Sequence, residues 1–413
     1  MSDAEIYLHE FANGLTLVAE PMSHRRAAAF TLLLPAGALT EPEGREGLSS
    51  VVYGLAFRGA GERDSRALSD ALDSLGLQRS GGAGLEHTSF GGALLADHLP
   101  EALALYADIV RRPHLPEDQL EAERALALQE LANLEDNPSK KLFVELQRTY
   151  FPGPHGRSPL GTEEGLKALS IGDVQADHAR RYRPQGAILA VAGGIEWEPL
   201  RDRVEELFGD WEGEPPALPS PAAVTEPVYR HLEQQTEQHQ IGVIYSEVAP
   251  DHPDYYEASL TVRVLSGGMG ARLFTELREK EGLCYAVFAQ YMAVKKAGFV
   301  YCYVGTQPDR SQRSLDKLMA ELRRLAEGVT SAELERARTG MLAAVVMQGE
   351  STPARASAIA SEYYLRGHVR TLDEIRAAVE RVTLESIQRH LTVHPPREFT
   401  VVTIGPGALT VPQ

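Results

Sequence analysis

The feature that most constrains this chain is a repeat within it. LPEDQLEAERAL, from Leu115, matches VTSAELERARTG, from Val329, and the strand-like AILAVAGG, from Ala187, matches FTVVTIGPG, from Phe399. The offsets of the two matches agree to within about two residues, and the segments ahead of the strands, IGDVQADHARRY and LESIQRHLTV, match as well. A chain of 413 residues, 43% of them hydrophobic, is long enough for two cores. WEGEPPALPSPAAVTEP, between Trp211 and Pro227, holds five prolines without periodicity and reads as an extended linker. The expectation is two homologous α+β halves, residues 1–212 and 228–413, joined by a Pro-rich linker at 213–227.

Turn and period signals place the elements of the first half. Asn13-Gly14 supplies the positive φ angles of a tight hairpin between two short strands in Tyr7–Leu17. Ala27–Leu34 follows as a buried strand, Ser65–Leu75 as a helix ended by Gly76, and the Gly-rich run Ser80–Gly84 as a lead into a strand at Thr88–Leu95. Pro100–Val110 and Pro116–Leu134 are helices, the second stopping before Asn137-Pro138. Phe151–Pro159 is a Gly/Pro loop, Asp173–Tyr182 a helix and Ala187–Ala192 a buried strand.

The stretch Gly47–Ala60, GLSSVVYGLAFRGA, carries the chemistry question. Leu48, Val51, Val52, Leu55 and Ala56 recur as one apolar helix face, and Ser50, Tyr53, Gly54 and Phe57 form the row opposite. This frame resembles the G-x-x-H-x-x-E-H-x-x-F-x-G-T helix of the M16 metallopeptidases, in which two His bind zinc and the Glu is the general base. Here Ser50, Tyr53 and Gly54 stand at the three chemical positions, while Gly47, Phe57, Arg58 and Gly59 keep the frame. Neither Ser50 nor Gly54 supplies an imidazole, and a phenol with a pKa of about 10 is a poor base near neutrality. The resemblance puts the family's third ligand on a downstream E-R-x-x-x-x-x-E helix. Glu123-Arg124 and Glu130 match it, but a lone glutamate makes no metal site, and we read Glu130 as a solvated helix residue. No metal is expected here. His390 and His394 have i, i+4 spacing, but His394 precedes Pro395, which favours extended backbone, so both are read as ordinary polar residues, as are His87 and His155.

In the second half, LSGGMGARLFTELREKEGLCYAVFAQ, Leu265–Gln290, resembles the M16 C-terminal signature L-G-G-G-x-x-S-R-L-F-x-x-L-R-E-x-x-G-L-x-Y. The resemblance implies that Arg278 and Tyr285 reach an active site to hold a peptide carbonyl and stabilise the oxyanion, and guanidinium and phenol donors suit that task. Gly267 and Gly268 lack the Lys and strand context of a phosphate loop and are expected as a flexible turn at the substrate chamber. The family's plan further implies a LuxS/M16-like fold, each half a mostly antiparallel β-sheet packed with α-helices.

The charge of −17 argues against nucleic acid and anionic membrane surfaces and suits a basic partner. Cys284 and Cys302 are too few for a disulfide framework or a thiolate zinc site. Without a signal-like N-terminus or a membrane-length apolar run, the expected location is cytoplasmic. The leading expectation is the non-zinc subunit of a heterodimeric M16B-type metallopeptidase. It would contribute Arg278 and Tyr285 to the zinc site of a partner subunit for peptide hydrolysis, be inactive alone and bring no cofactor itself. The alternatives are an inert scaffold of the same fold and a peptidase with an unrecognised metal site.

Overall fold

A computed structural model of the chain describes residues 5–412. The chain forms two compact units. The first combines the described residues through Asn133 with Arg157–Pro219 and Gln348–Leu372, and the second combines Leu134–Gly156, Ser220–Met347 and the chain beyond Asp373.

The strands of the first unit are β1 (Tyr7–Glu10), β2 (Thr16–Pro21), β3 (Ala27–Leu34), the two-residue pair β4 (Gly59–Ala60) and β5 (Arg63–Asp64), β6 (Gln78–Ala83), β7 (Thr88–Leu95) and β8 (Ile188–Gly193). Six of them form a sheet in the order β1-β2-β8-β3-β7-β6, in which only β2 and β8 run parallel. Leu17, Leu189, Leu32 and Phe90 lie side by side in this register and share one core face. Helices Leu48–Ala56, Ser65–Ser74, Leu99–Arg111, Ile171–Arg181 and Trp197–Phe208 cover that face with Val52, Leu55, Leu68, Tyr106, Val174 and Val204. Alternation turns Val18, Ile188, Ala190 and Ala29 to the other face, which is also dry because helix Thr352–Arg366 lays Ala356, Ile359, Ala360 and Tyr364 across it. Arg355 of that helix donates to Glu20 of β2 (Nε to Oε2 2.8 Å), an ion pair with both side chains buried.

The second unit has β9 (Val228–Glu233), β10 (His239–Glu247), β11 (Cys284–Val294), β12 (Ala297–Thr306) and β13 (Thr400–Gly405), in the order β11-β12-β10-β13-β9 with only β13 and β9 parallel. Ile241, Val243, Tyr245, Val300, Cys302 and Val401 pack on helices Tyr255–Ser266, Ser311–Leu325 and Leu384–Val393. The opposite face takes helix Pro138–Tyr150. A Cβ at Gly242 of β10 would stand 3.1 Å from Leu146 and 3.2 Å from Leu142, so the glycine lets this helix lie close on the strand. Tyr150 and Ser246 share a hydrogen bond at 2.7 Å, and Glu145 pairs with Arg230 at 2.8 Å.

The expected class, two α+β halves with mostly antiparallel sheets, describes the molecule. The compact units, however, are not the contiguous halves 1–212 and 228–413. Each takes a helix from the other half of the sequence, because each sheet has a second apolar face that its own half leaves bare. The helix Pro138–Tyr150 was not expected at all. Asn137-Pro138 reads as a stop, yet it is a start: Asn137 caps the helix by accepting from the Lys140 N–H at 3.1 Å, with Pro138 at the first position. The Gly-rich run at Ser80–Gly84 is likewise no mere lead-in but most of β6. Thr88–Leu95 is therefore an inner strand, and the sheet edge is β6. Residues 213–227 carry no regular structure, as their prolines require.

Candidate functional site

Helix Leu48–Ala56 buries the apolar row that its period defines and leaves Ser50, Tyr53, Gly54 and Phe57 on the partly open side. Its start is built by Gly47, at φ +101°, and by the carboxylate of Glu41, which accepts from the N–H groups of Gly47 (3.0 Å) and Ser49 (2.7 Å). Burial pushes the Glu41 pKa up against these bonds. The fully buried Arg181 holds the same end, donating to Ser49 Oγ at 3.0 Å and to the Gly37 carbonyl at 2.7 Å. This scaffolding is invisible in the local pattern, because Glu41 precedes the helix by several residues and Arg181 comes from a distant helix.

The residues that this scaffold presents do not fit a metal. The Ser50 hydroxyl donates to the carbonyl of Pro159 at 3.0 Å. Tyr53 packs edge-on to Phe57 (5.3 Å) and tilted on Phe90 (5.0 Å), and burial raises its phenol pKa further from neutrality. Gly54 offers no side chain, and the space one would occupy is filled by Glu123, whose Cδ would stand 2.9 Å from a Cβ there. Glu123 is itself engaged by Arg58, Nε to Oε1 at 2.6 Å. Glu130, two turns further along helix Leu120–Glu135, is exposed. Of the two acidic positions it is Glu123 that faces the motif helix, and it is paired with the Arg58 guanidinium. A hollow of about 450 Å³ remains beside this pair, lined by Tyr53, Gly54, Arg58, Arg79 and Glu123, and a second of about 380 Å³ lies along β6 and β7. Ser80 and Gly81 of the edge strand border both.

In the second unit Arg278 lies on a π-helical segment, Phe274–Lys280, a widened turn of a kind found often at functional sites. Arg272, just before it, anchors the segment. Its guanidinium forks onto Glu333 (2.7 and 2.9 Å) and reaches the Gly328 carbonyl at 2.8 Å. Arg278 is exposed, with its guanidinium 4.9 Å over the ring of Phe274, and among the described residues it makes no ion pair. Glu281, one candidate partner on its own helix, instead meets Arg313 and Lys317. Tyr285 sits in a β-bulge: Cys284 pairs with Thr306 and Ala286 with Gly305, leaving Tyr285 unmatched. The extra residue turns its ring outward to 60% exposure, where its hydroxyl accepts from Gln307 at 3.2 Å. The adjacent Cys284 thiol is pushed up to about 11 by burial, with Arg278 pulling the other way. Gly267 ends helix Tyr255–Ser266, and Gly268 adopts φ +145°. They border a hollow of about 70 Å³, room for water rather than for a side chain of substrate.

Comparison with known proteins matches "Insulinase (Peptidase family M16)" to residues 17–163 and "Peptidase M16 inactive domain" to residues 168–341. A Bacillus subtilis protein named uncharacterized zinc protease YmxG is 28% identical over 381 residues, spanning 91% of this chain and 92% of that one. A Rickettsia bellii uncharacterized zinc protease is 26% identical over 405 residues, 96% and 97% of the two chains. Among solved structures, a peptidase M16 inactive domain from Pseudomonas fluorescens superposes with a TM-score of 0.91 at 20% identity, covering 99% of this chain and all of that one. A protease from Helicobacter pylori gives 0.89 at 19% identity, covering 98% and 100%.

Proposed function

Because the chain belongs to peptidase family M16, we propose that it is the zinc-free subunit of a two-chain peptidase, contributing Arg278 and Tyr285 to peptide hydrolysis at the metal site of a partner. The observation that carries this reading is the contrast between the two motifs. At one, the ligand positions are Ser50 and Gly54, and Glu123 is consumed by Arg58. At the other, a guanidinium and a phenol stand exposed on a π-turn and a bulge, two local distortions that a merely structural sheet end does not need. Two such donors suit a carbonyl that gains negative charge as it is attacked. Zinc and the general base come from the partner chain.

The edge strand β6 supports a peptide-binding role. Its free backbone groups can pair with an extended peptide, and the hollows on either side of Ser80 and Gly81 would receive alternate side chains. The net charge of −17 favours basic peptides. Among the described residues no helix is long and apolar enough to cross a membrane.

The test is reconstitution with an M16 chain that carries the intact H-x-x-E-H helix. Peptidase activity that neither chain has alone, together with co-elution at micromolar concentration, is the expected outcome. Two chains that elute separately and stay inactive together would overturn the heterodimer reading and leave the scaffold alternative.

A further inference from the structure

His390 is fully buried at the end of helix Leu384–Val393. Its Nδ1 faces Asp254 Oδ2 at 3.5 Å and its Nε2 faces Glu247 Oε1 at 3.4 Å. Both are too long and misdirected to be good hydrogen bonds, and neither ring nitrogen has a hydrogen-bond partner. Two buried ring nitrogens without a hydrogen bond are an arrangement that native interiors rarely leave without a partner such as a water or an ion. His394, one turn on, brings its ring to 5.3 Å from that of His390. Proline does displace His394 from helical geometry, to φ −122° and ψ 60°, but the displacement does not part the two rings. Ligand atoms of Asp254, His390 and His394 all lie within 4.8 Å of one another.

Asp254 adds an independent sign. It is the N-cap residue of helix Tyr255–Ser266, where an aspartate ordinarily accepts from the first-turn N–H groups, yet its side chain makes no capping bond. Its carboxylate turns to His390 instead.

From this geometry we propose that Asp254, His390 and His394 form a binding site for one divalent transition-metal ion, of which zinc is the best fit, separate from the lost motif on helix Leu48–Ala56. A spacing of 3.5 Å between Asp254 Oδ2 and His390 Nδ1 is what two ligands about 2.1 Å from a tetrahedral ion show. With His390 Nδ1 on the metal, its Nε2 lies 3.4 Å from the buried Glu247 carboxylate, and a small turn of the ring on metal binding would complete the carboxylate–histidine–metal arrangement that fixes tautomer and ring orientation. Glu247 is thus a positioning residue. The C-terminal end of helix Leu384–Val393 also favours a cation. His252, whose ring lies 5.5 Å from that of His394, spends its Nδ1 lone pair on the Asp254 N–H at 3.1 Å. It is a neighbour rather than a ligand, and the fourth position is left to water. One ion would tie together the ends of β10, helix Tyr255–Ser266 and helix Leu384–Val393.

The full-length chain, stripped with a chelator and desalted, is titrated with Co²⁺ and, in competition with a chromophoric indicator, with Zn²⁺. One equivalent of cobalt with the visible bands of a tetrahedral centre is expected, and zinc should raise the thermal midpoint. Because His390→Ala removes a core side chain, the half-buried ligands carry the test. His394→Ala and Asp254→Asn should each weaken zinc binding at least tenfold and abolish the thermal shift, with circular dichroism confirming the fold. Glu247→Gln should weaken it about tenfold to a hundredfold. Ser50→Ala and Glu130→Gln should leave it unchanged, which separates this site from the family's. No stoichiometric uptake, undiminished uptake in His394→Ala, or uptake lost in Glu130→Gln would overturn the proposal. In the first case the pocket holds only a proton shared between His390 and its two carboxylates.

Discussion

Glu123 occupies the place of a side chain at Gly54: a Cβ there would stand 2.9 Å from Glu123 Cδ and closer still to its Oε2, while Arg58 holds the same carboxylate at 2.6 Å. The glycine at this position and the inward turn of Glu123 are one arrangement.

That coupling gives the first prediction. Gly→Ala inside a helix ordinarily stabilises by about 1 kcal/mol. In the wild-type chain, Gly54→Ala must push Glu123 off Arg58, so the gain should be cancelled or reversed. In the Glu123→Ala background the full gain of about 1 kcal/mol should return. Urea midpoints of the four proteins measure this, and an equal effect of Gly54→Ala in both backgrounds would contradict the packing.

A second prediction separates contribution from scaffold. In the reconstituted pair, Tyr285→Phe should lower kcat about a hundredfold to a thousandfold, leaving zinc content and assembly unchanged. Arg278→Ala should lower kcat and also raise KM, since in the proposed role its guanidinium would hold the peptide before as well as during attack. The combined loss should be less than additive if both act on one oxygen. The exposed Arg323 is the control. Unchanged rates in both variants would mean that the chain only shapes the chamber.

The third concerns acid. Arg272, with the N–H and hydroxyl of Thr330, lowers the Glu333 pKa from 4.5 to about 2. A carboxylate with a depressed folded-state pKa adds stability that is fully present above the unfolded value, and it is lost as pH falls through the folded one. The window therefore runs from about pH 4.5 down to about 2. Thermal midpoints across it should fall less steeply in Glu333→Gln than in wild type. Parallel curves would show that Arg272 does not depend on the charge of Glu333.

The buried pair Glu20–Arg355 yields the fourth. Arg355→Ala strands a carboxylate under helix Thr352–Arg366 and should cost about 3–5 kcal/mol. The apolar double variant Glu20→Leu, Arg355→Met should recover most of that loss. Denaturant unfolding followed by fluorescence would decide, and a double variant as unstable as Arg355→Ala would rule out the stranded charge as the cause.

Periodicity was enough to read helix Leu48–Ala56, because its apolar row repeats at the spacing the core requires and the buried residues are that row together with Ser49. It could not tell Glu123 from Glu130, since residues seven apart share one helix face and only Arg58, far away in sequence, decides which turns inward. Glycines in Ser80–Gly84 hid an edge strand whose ladder is made by backbone, not side chains. The outward turn of Tyr285 depends on a one-residue mismatch with β12, a property of pairing that neither strand shows alone. The exchanged helices were illegible for a related reason: amphipathicity says that a helix has a partner, not which sheet that partner is.

The exchange also sets an order on synthesis. The face of β2 and β8 bearing Val18, Ile188 and Ala190 is covered by Ile359 and Ala360, so a nascent chain that has completed every strand of its first sheet still lacks the cover. The whole stretch from Gly193 to Thr352 must leave the ribosome before helix Thr352–Arg366 arrives, and until then that apolar surface is open to chaperones or to another chain. A chain cut at the proline-rich segment would yield not two domains but two halves of sandwiches, each missing the helix encoded in the other.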